Sequence, residues 1–204
     1  MRGILPQPRA GCPWFAEEVD PVAAAFDATP RTGFLPRAER RRAAYDGPLP
    51  IGHGQTSSQP RTVEAMLRLL DVRPGHRVLD VGAGSGWTTA LLAHLVGPGG
   101  EVRGVELVPA LVAFGAANVA RTGRTWAAVR PAEPGVLGDP GHAPYDRVLV
   151  SAEAQELPQQ LVDQLVVPGG RMVVPVRGEM LRVVIHPDGA DVTRHGAYRF
   201  VPLL

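Results

Sequence analysis

The chain of 204 residues contains no lysine; all 21 of its basic residues are arginine. Set beside 24 glycines and 21 prolines, this reads as compositional bias rather than a functional device. A single cysteine, Cys12, excludes an internal disulfide and suits a reducing compartment. No run approaches the roughly 18 apolar residues of a membrane span. The opening MRGILPQPRAGCPW holds no apolar stretch of signal-peptide length. The expectation is a cytoplasmic protein with no membrane partner. Neither sign of charge is in excess: the net charge is +1, which gives no electrostatic case for nucleic acid. Arg40-Arg41-Arg42 follows Glu39 and reads as a solvated helix face. The six histidines supply no metal-ligand pattern, so no metal is expected. There is no G-x-S-x-G elbow for hydrolysis. What remains is ordinary for a globular chain, with 45% hydrophobic and 20% charged residues.

The most informative stretch is RVLDVGAGSGWTTALLAHLVGPGGEVRGVE, residues 77–106. Val78, Leu79 and Val81 read as a buried parallel strand. Gly82, Gly84 and Gly86 form a turn in which the backbone can approach a ligand closely. Ser85–Val96 reads as a helix with Leu91, Leu92 and Leu95 on one face. Glu106 follows Gly86 by 20 residues and ends the next strand, where an acid can bond both hydroxyls of a ribose. An adenosine-containing cofactor follows. A dinucleotide site wants G-x-G-x-x-G; here the run is G-x-G-x-G and Trp87 comes next. The D-x-G-x-G-x-G run from Asp80 to Gly86 is similar to the first motif of S-adenosylmethionine-dependent methyltransferases.

Along the chain, helices are predicted over 17–26, 37–45, 109–121 and 158–165, and residues 1–15 are expected to be loose. A further helix opens at Pro60, with Val63, Met66, Leu67 and Leu70 at i, i+3, i+4, i+7, and is stopped by Pro74-Gly75. Strands are predicted over 126–129, 145–151, 172–176 and 181–186. A hairpin signal at Asp188-Gly189 leads to a last strand near 198–203. Alternating strand and helix followed by a late hairpin imply a doubly wound, mostly parallel α/β sheet. Residues 1–60 read as a helical and loop annex, and 61–204 as the cofactor-binding unit, together one compact body.

Gly52–Pro60, GHGQTSSQP, reads as a small-residue loop before a helix N-terminus. Two roles fit its hydroxyls. Free N–H groups and the helix dipole favour an anion there, and the hydroxyls of Thr56, Ser57 and Ser58 can add bonds to a carboxylate. Equally, Ser and Thr commonly cap helices with no part in chemistry.

The run PLPIGHGQTSSQP (48–60) resembles the signature of protein-L-isoaspartate O-methyltransferases. The resemblance continues in VLDVGAGSGW, HAPYD (142–146), the 168–176 run and RFVPL (199–203), and covers roughly residues 20–204. It implies an S-adenosylmethionine-dependent methyltransferase fold and methylation of the free α-carboxylate of isoaspartyl residues. The ester then closes to a succinimide that hydrolyses partly to aspartate. Ser58 and Thr56 match the active-site hydroxyls. Asp80, Gly82, Gly84, Gly86, Glu106 and Leu107 fall on the cofactor side. Val201 and Leu203 match the terminal strand that faces the substrate peptide and the cofactor. Isoaspartyl peptides are the implied partners of a monomeric enzyme.

Four features depart from the family pattern. Ser57 stands where the family has isoleucine. Ala132-Glu133-Pro134 replaces the G-D-G whose Asp binds adenine, leaving Glu133 to accept the amine. Glu153 introduces an acid where small residues are usual. The family also usually continues beyond the position of Leu204. Two other readings stay open: a carboxylate methyltransferase for an aspartate in a dedicated peptide precursor, and a cofactor-binding protein without catalysis.

Overall fold

Asp20 caps the first helix through bonds from the Val22 and Ala23 N–H groups to its carboxylate, and Pro21 fits the first helical position. The computed structural model describes residues 20–203. The expected start of this helix at Glu17, the 1–15 segment with Cys12, and Leu204 lie outside them. The helix, α1, is Pro21–Ala28. The helix expected over 37–45 reduces to a 3-10 turn, Arg40–Arg42, which buries no residue and so has no apolar face to hold a longer helix in place.

Residues 52–60 are not a plain loop. β1 (Leu49–Gly52) and β2 (Gln55–Ser57) form an antiparallel hairpin with Leu49 opposite Ser57 and Pro50 opposite Thr56. Its tip turns through Gly52, His53 and Gly54, all at positive φ (95°, 55° and 73°), which glycines on both sides of His53 permit. α2 (Pro60–Leu70) follows. It stops earlier than Pro74-Gly75, because Asp71 adopts the left-handed conformation (φ 53°) and closes the last turn.

The main body alternates as expected: β3 (Arg77–Val81), α3 (Trp87–Val96), β4 (Glu101–Glu106), α4 (Pro109–Ala120), β5 (Ala127–Pro131), β6 (Arg147–Val150), α5 (Gln159–Val162), β7 (Arg171–Val176), β8 (Glu179–His186) and β9 (Gly189–Ala197). The 158–165 helix shrinks to one turn, since Gln164 and Leu165 bond three residues back, in 3-10 fashion. The last strand is β9, not 198–203. Gly196 at φ 93° bends the chain away, and the tail from Tyr198 runs back across the sheet end.

The seven strands are ordered β5-β4-β3-β6-β7-β8-β9. β3 to β7 pair in parallel, and β8 and β9 add antiparallel. Strand order reverses between β3 and β6, and in such sheets ligands bind outside the carboxyl ends at that point. Both faces are covered. Val78, Leu149 and Val173 pack with α1, α2 and α3, while Leu79, Val148, Val150, Met172 and Val174 pack with the Leu161–Leu165 turn and Tyr145.

Candidate active site

At the switch point the carboxyl ends of β3 and β6 open into a cavity of about 800 Å³. Gly82, Gly84 and Glu106 line one side and Thr56 and Ser58 another; Leu107, Glu133, Val201 and Leu203 also line it. The structure thus gathers, from five separate stretches of chain, residues that only a motif reading had associated.

The glycine turn is built by close packing. A Cβ on Gly86 would lie 2.8 Å from the Gly115 carbonyl oxygen, and one on Gly115 would lie 2.7 Å from the Gly84 carbonyl oxygen. The turn and α4 therefore touch backbone to backbone. Gly86 does this packing without lining the cavity itself. Glu106, 8% exposed, is held by its two neighbours: the Gly84 N–H donates to one oxygen and the Val108 N–H to the other, each at 2.9 Å. Each carboxylate oxygen keeps lone-pair capacity beyond that one bond, and Glu106 lines the cavity. Beside it, Leu107 leaves 43% of its surface exposed, an apolar platform at the mouth.

Asp80 departs from the expected set. It is fully buried behind the turn, does not line the cavity, and accepts hydrogen bonds from the Thr88 and Thr89 hydroxyls at 2.8 and 2.7 Å. Burial, offset only in part by those two bonds, pushes its carboxyl up to about 6. Its role here is to tie β3 to the start of α3.

The capping question resolves onto another residue. α2 has Gln59 at its N-cap position with no side-chain cap bond, and the Arg61 N–H donates instead to the Asp46 carboxylate at 3.2 Å. That bond holds the Asp46 carboxyl below the usual range. Ser58, half-buried, and Thr56, exposed, both line the cavity. Ser57, between them, is 5% exposed and accepts a hydrogen bond from Arg31. No motif announced Arg31; the available signal was a polar residue at a buried strand position.

Glu133 is exposed, and its carbonyl accepts the Val136 N–H at 3.0 Å. Glu153 is absent from the cavity lining; its backbone clamps the tail, donating to the Val201 carbonyl at 2.7 Å and accepting from the Leu203 N–H at 2.8 Å. Sequence reasoning missed this clamp and also the far wall, Gln155 to Gln160. Among the described residues no His, Cys, Asp and Glu cluster could hold a metal, and no helix is long and apolar enough to cross a membrane.

A sequence profile of the protein-L-isoaspartate(D-aspartate) O-methyltransferase family matches residues 16–204. Among curated relatives, the Methanopyrus kandleri protein-L-isoaspartate O-methyltransferase is 45% identical over 188 residues, covering 90% of this chain and 83% of its own. The Aeropyrum pernix enzyme of the same name is 46% identical over 188 residues, covering 90% and 72%. A Plasmodium falciparum protein described by the same activity, crystallised with S-adenosyl-L-homocysteine, superposes with a TM-score of 0.79 at 26% identity, covering 92% of this chain and 91% of that one.

Proposed function

The chain belongs to the protein-L-isoaspartate(D-aspartate) O-methyltransferase family, and from that premise we propose how its own residues carry out the reaction. It is an S-adenosylmethionine-dependent enzyme that esterifies the free carboxylate of isoaspartyl residues in damaged proteins. The observation that carries the site assignment is the shared cavity: the hairpin residues Thr56 and Ser58 and the glycine turn with Glu106 line the same pocket.

The residues present fit the cofactor. A cavity of about 800 Å³ lies within the usual range for ligand sites, roughly 300–1,000 Å³. Glu106 would hold the ribose hydroxyls through its free lone pairs. Leu107 and Ala132 would pack the adenine, with Glu133 accepting its amine; Pro134, having no N–H, cannot donate to a ring nitrogen beside it. Gly82 and Gly84 would admit the methionine end. When bound, the cofactor supplies an electrophilic methyl on a sulfonium.

For the chain's own part, no strong base is needed, because a carboxylate is already ionised and nucleophilic at neutral pH. Thr56 and Ser58 would donate hydrogen bonds to the substrate carboxylate. These groups orient one oxygen. Val201 and Leu203 exclude water and contact the peptide, so orientation and dehydration carry the rate. Two of the departures from the family pattern have internal partners: Ser57 meets Arg31, and the Glu153 main chain holds the tail.

The deciding assay is methyl transfer to an isoaspartyl peptide and to its aspartyl twin. Transfer to the isoaspartyl form alone is expected; equal rates on both would defeat the reading. We further propose a monomer working in the cytoplasm without nucleic acid or membrane, with residues 1–60 as the annex that carries the hairpin.

A further inference from the structure

Behind the hairpin lies a buried cation. Arg31, 4% exposed, opens a short 3-10 segment, Arg31–Phe34. Its Nε donates to the Ser57 Oγ at 3.1 Å, and Nη2 donates to the Ser57 and Gly47 carbonyls at 2.8 and 3.0 Å. Nη1 donates to the Tyr45 carbonyl at 3.0 Å. The guanidinium carbon stands 5.4 Å from the centre of the Trp87 ring. All of these acceptors are neutral. Burial pulls the guanidinium down to about 10, so it remains charged at neutral pH.

Trp87 is the first residue of α3, directly after the glycine turn, and is itself fixed. Its Nε1 donates to the Thr29 carbonyl at 3.0 Å, and Phe26 meets it edge-on at 5.5 Å. One guanidinium therefore joins the strand that carries the substrate hydroxyls to the element that ends the cofactor turn.

We propose that Arg31, acting through Ser57, is a positioning residue for methyl transfer, setting Thr56 and Ser58 against the cofactor turn. The inference rests on the assignment of those two hydroxyls to the substrate carboxylate. β1 and β2 form a two-stranded sheet separate from the main one, and such a hairpin is marginal unless something holds it. Side chains alternate along a strand: Thr56 is exposed, Ser57 is buried and Ser58 is half-buried. Whatever grips Ser57 thus aims its two neighbours. Isoleucine at this position would offer Nε no acceptor, and a buried donor without a partner is costly. Serine here is the match for this arginine.

The test uses the full chain and reads cofactor affinity by calorimetry, kcat and KM on an isoaspartyl peptide, and Tm. Ser57→Ala is expected to lower kcat/KM by roughly 10-fold while cofactor Kd stays within about twofold, and Arg31→Met by roughly 100-fold, as expected for a nucleophile misplaced by a fraction of an ångström. Ser57→Thr keeps the hydroxyl and should restore most of the rate. Arg31→Lys, with one ammonium in place of a planar fork, should not. Three outcomes overturn the proposal: Ser57→Ala turning over at the parent rate, Ser57→Thr no better than Ser57→Ala, or cofactor affinity falling in step with turnover. Should Arg31→Met fail to fold, the two Ser57 variants decide alone. The parent's preference for the isoaspartyl peptide over its aspartyl twin tests the substrate reading separately, because the Arg31 proposal depends only on ratios among variants.

Discussion

Capping of α2 and binding of a substrate carboxylate are two roles that a sequence cannot separate. A serine ahead of a Pro-initiated helix fits a cap as well as a substrate ligand, and only the tertiary bond from the Arg61 N–H to Asp46 settles which residue caps. Ser58→Ala should therefore leave Tm unchanged and lower kcat/KM by roughly 10- to 1,000-fold, the range for one lost orienting hydrogen bond. Asp46→Ala should do the reverse, lowering Tm with turnover little changed. Parallel thermal melts and peptide kinetics check both, and a Ser58→Ala variant that melts early yet methylates normally would remove Ser58 from the site. Asp80 makes a different prediction, about pH. Its carboxyl titrates near 6 in the fold, against 3.8 when exposed. The native state therefore holds this proton more tightly than the unfolded chain does. Its contribution to stability is full below pH 3.8 and declines as pH rises toward 6, a loss on the order of 3 kcal/mol. Denaturant melts across that window should show the decline in the parent and a flatter profile in Asp80→Asn; identical slopes would count against an ionised, buried Asp80.

Elements were legible where periodicity and packing agree. The strand-turn-helix-strand from Arg77 to Glu106 came out within two residues of its expected bounds, because buried parallel strands are continuously apolar and the glycines can only be a turn. Elements failed where a long-range contact decides. The 49–57 hairpin has only three residues in its second strand, too few for alternation to register, and the 37–45 segment lacked an apolar face. Gly115 illustrates the limit most directly. Within α4 it reads as a helix-weakening residue, yet its Cα lies against the glycine turn of a different element. Gly115→Ala improves local helix propensity by up to ~1 kcal/mol, but the added methyl would sit 2.7 Å from the Gly84 carbonyl oxygen, where backbone must move. We expect a net loss of ~1–3 kcal/mol in stability together with weaker S-adenosylmethionine binding, since Gly84 also donates to Glu106. A variant more stable than the parent would show that the turn can yield.

On the scale of the whole molecule, the site is closed by both flanks of the sequence. The hairpin comes from the segment before the sheet, and Val201, Pro202 and Leu203 from the segment after it. The resemblance made these tail residues visible as part of the site but placed them on a strand; the fold instead hangs them on one backbone residue, Glu153, through two hydrogen bonds across the end of β6. Nothing in the sequence marks Glu153 for this, since the bonds use its main chain and any residue but proline could make them. The arrangement separates folding from function. Every strand of the main sheet is complete by Ala197, and Tyr198 is still held by the Gly178 carbonyl at 2.8 Å. Removing the residues after Phe200 should leave the far-ultraviolet dichroism and the cooperativity of melting close to those of the parent. It should raise KM for the isoaspartyl peptide and weaken the cofactor, because one wall of the cavity then opens to water and the Glu153 N–H and carbonyl lose their partners. Restoring the wall in trans with a peptide of the missing residues is not expected, since a few residues bring too little buried area to offset the entropy of binding. A truncated chain that methylates at the parent rate would show that the clamp at Glu153 is packing alone, and that the substrate is held entirely by the hairpin and the glycine turn.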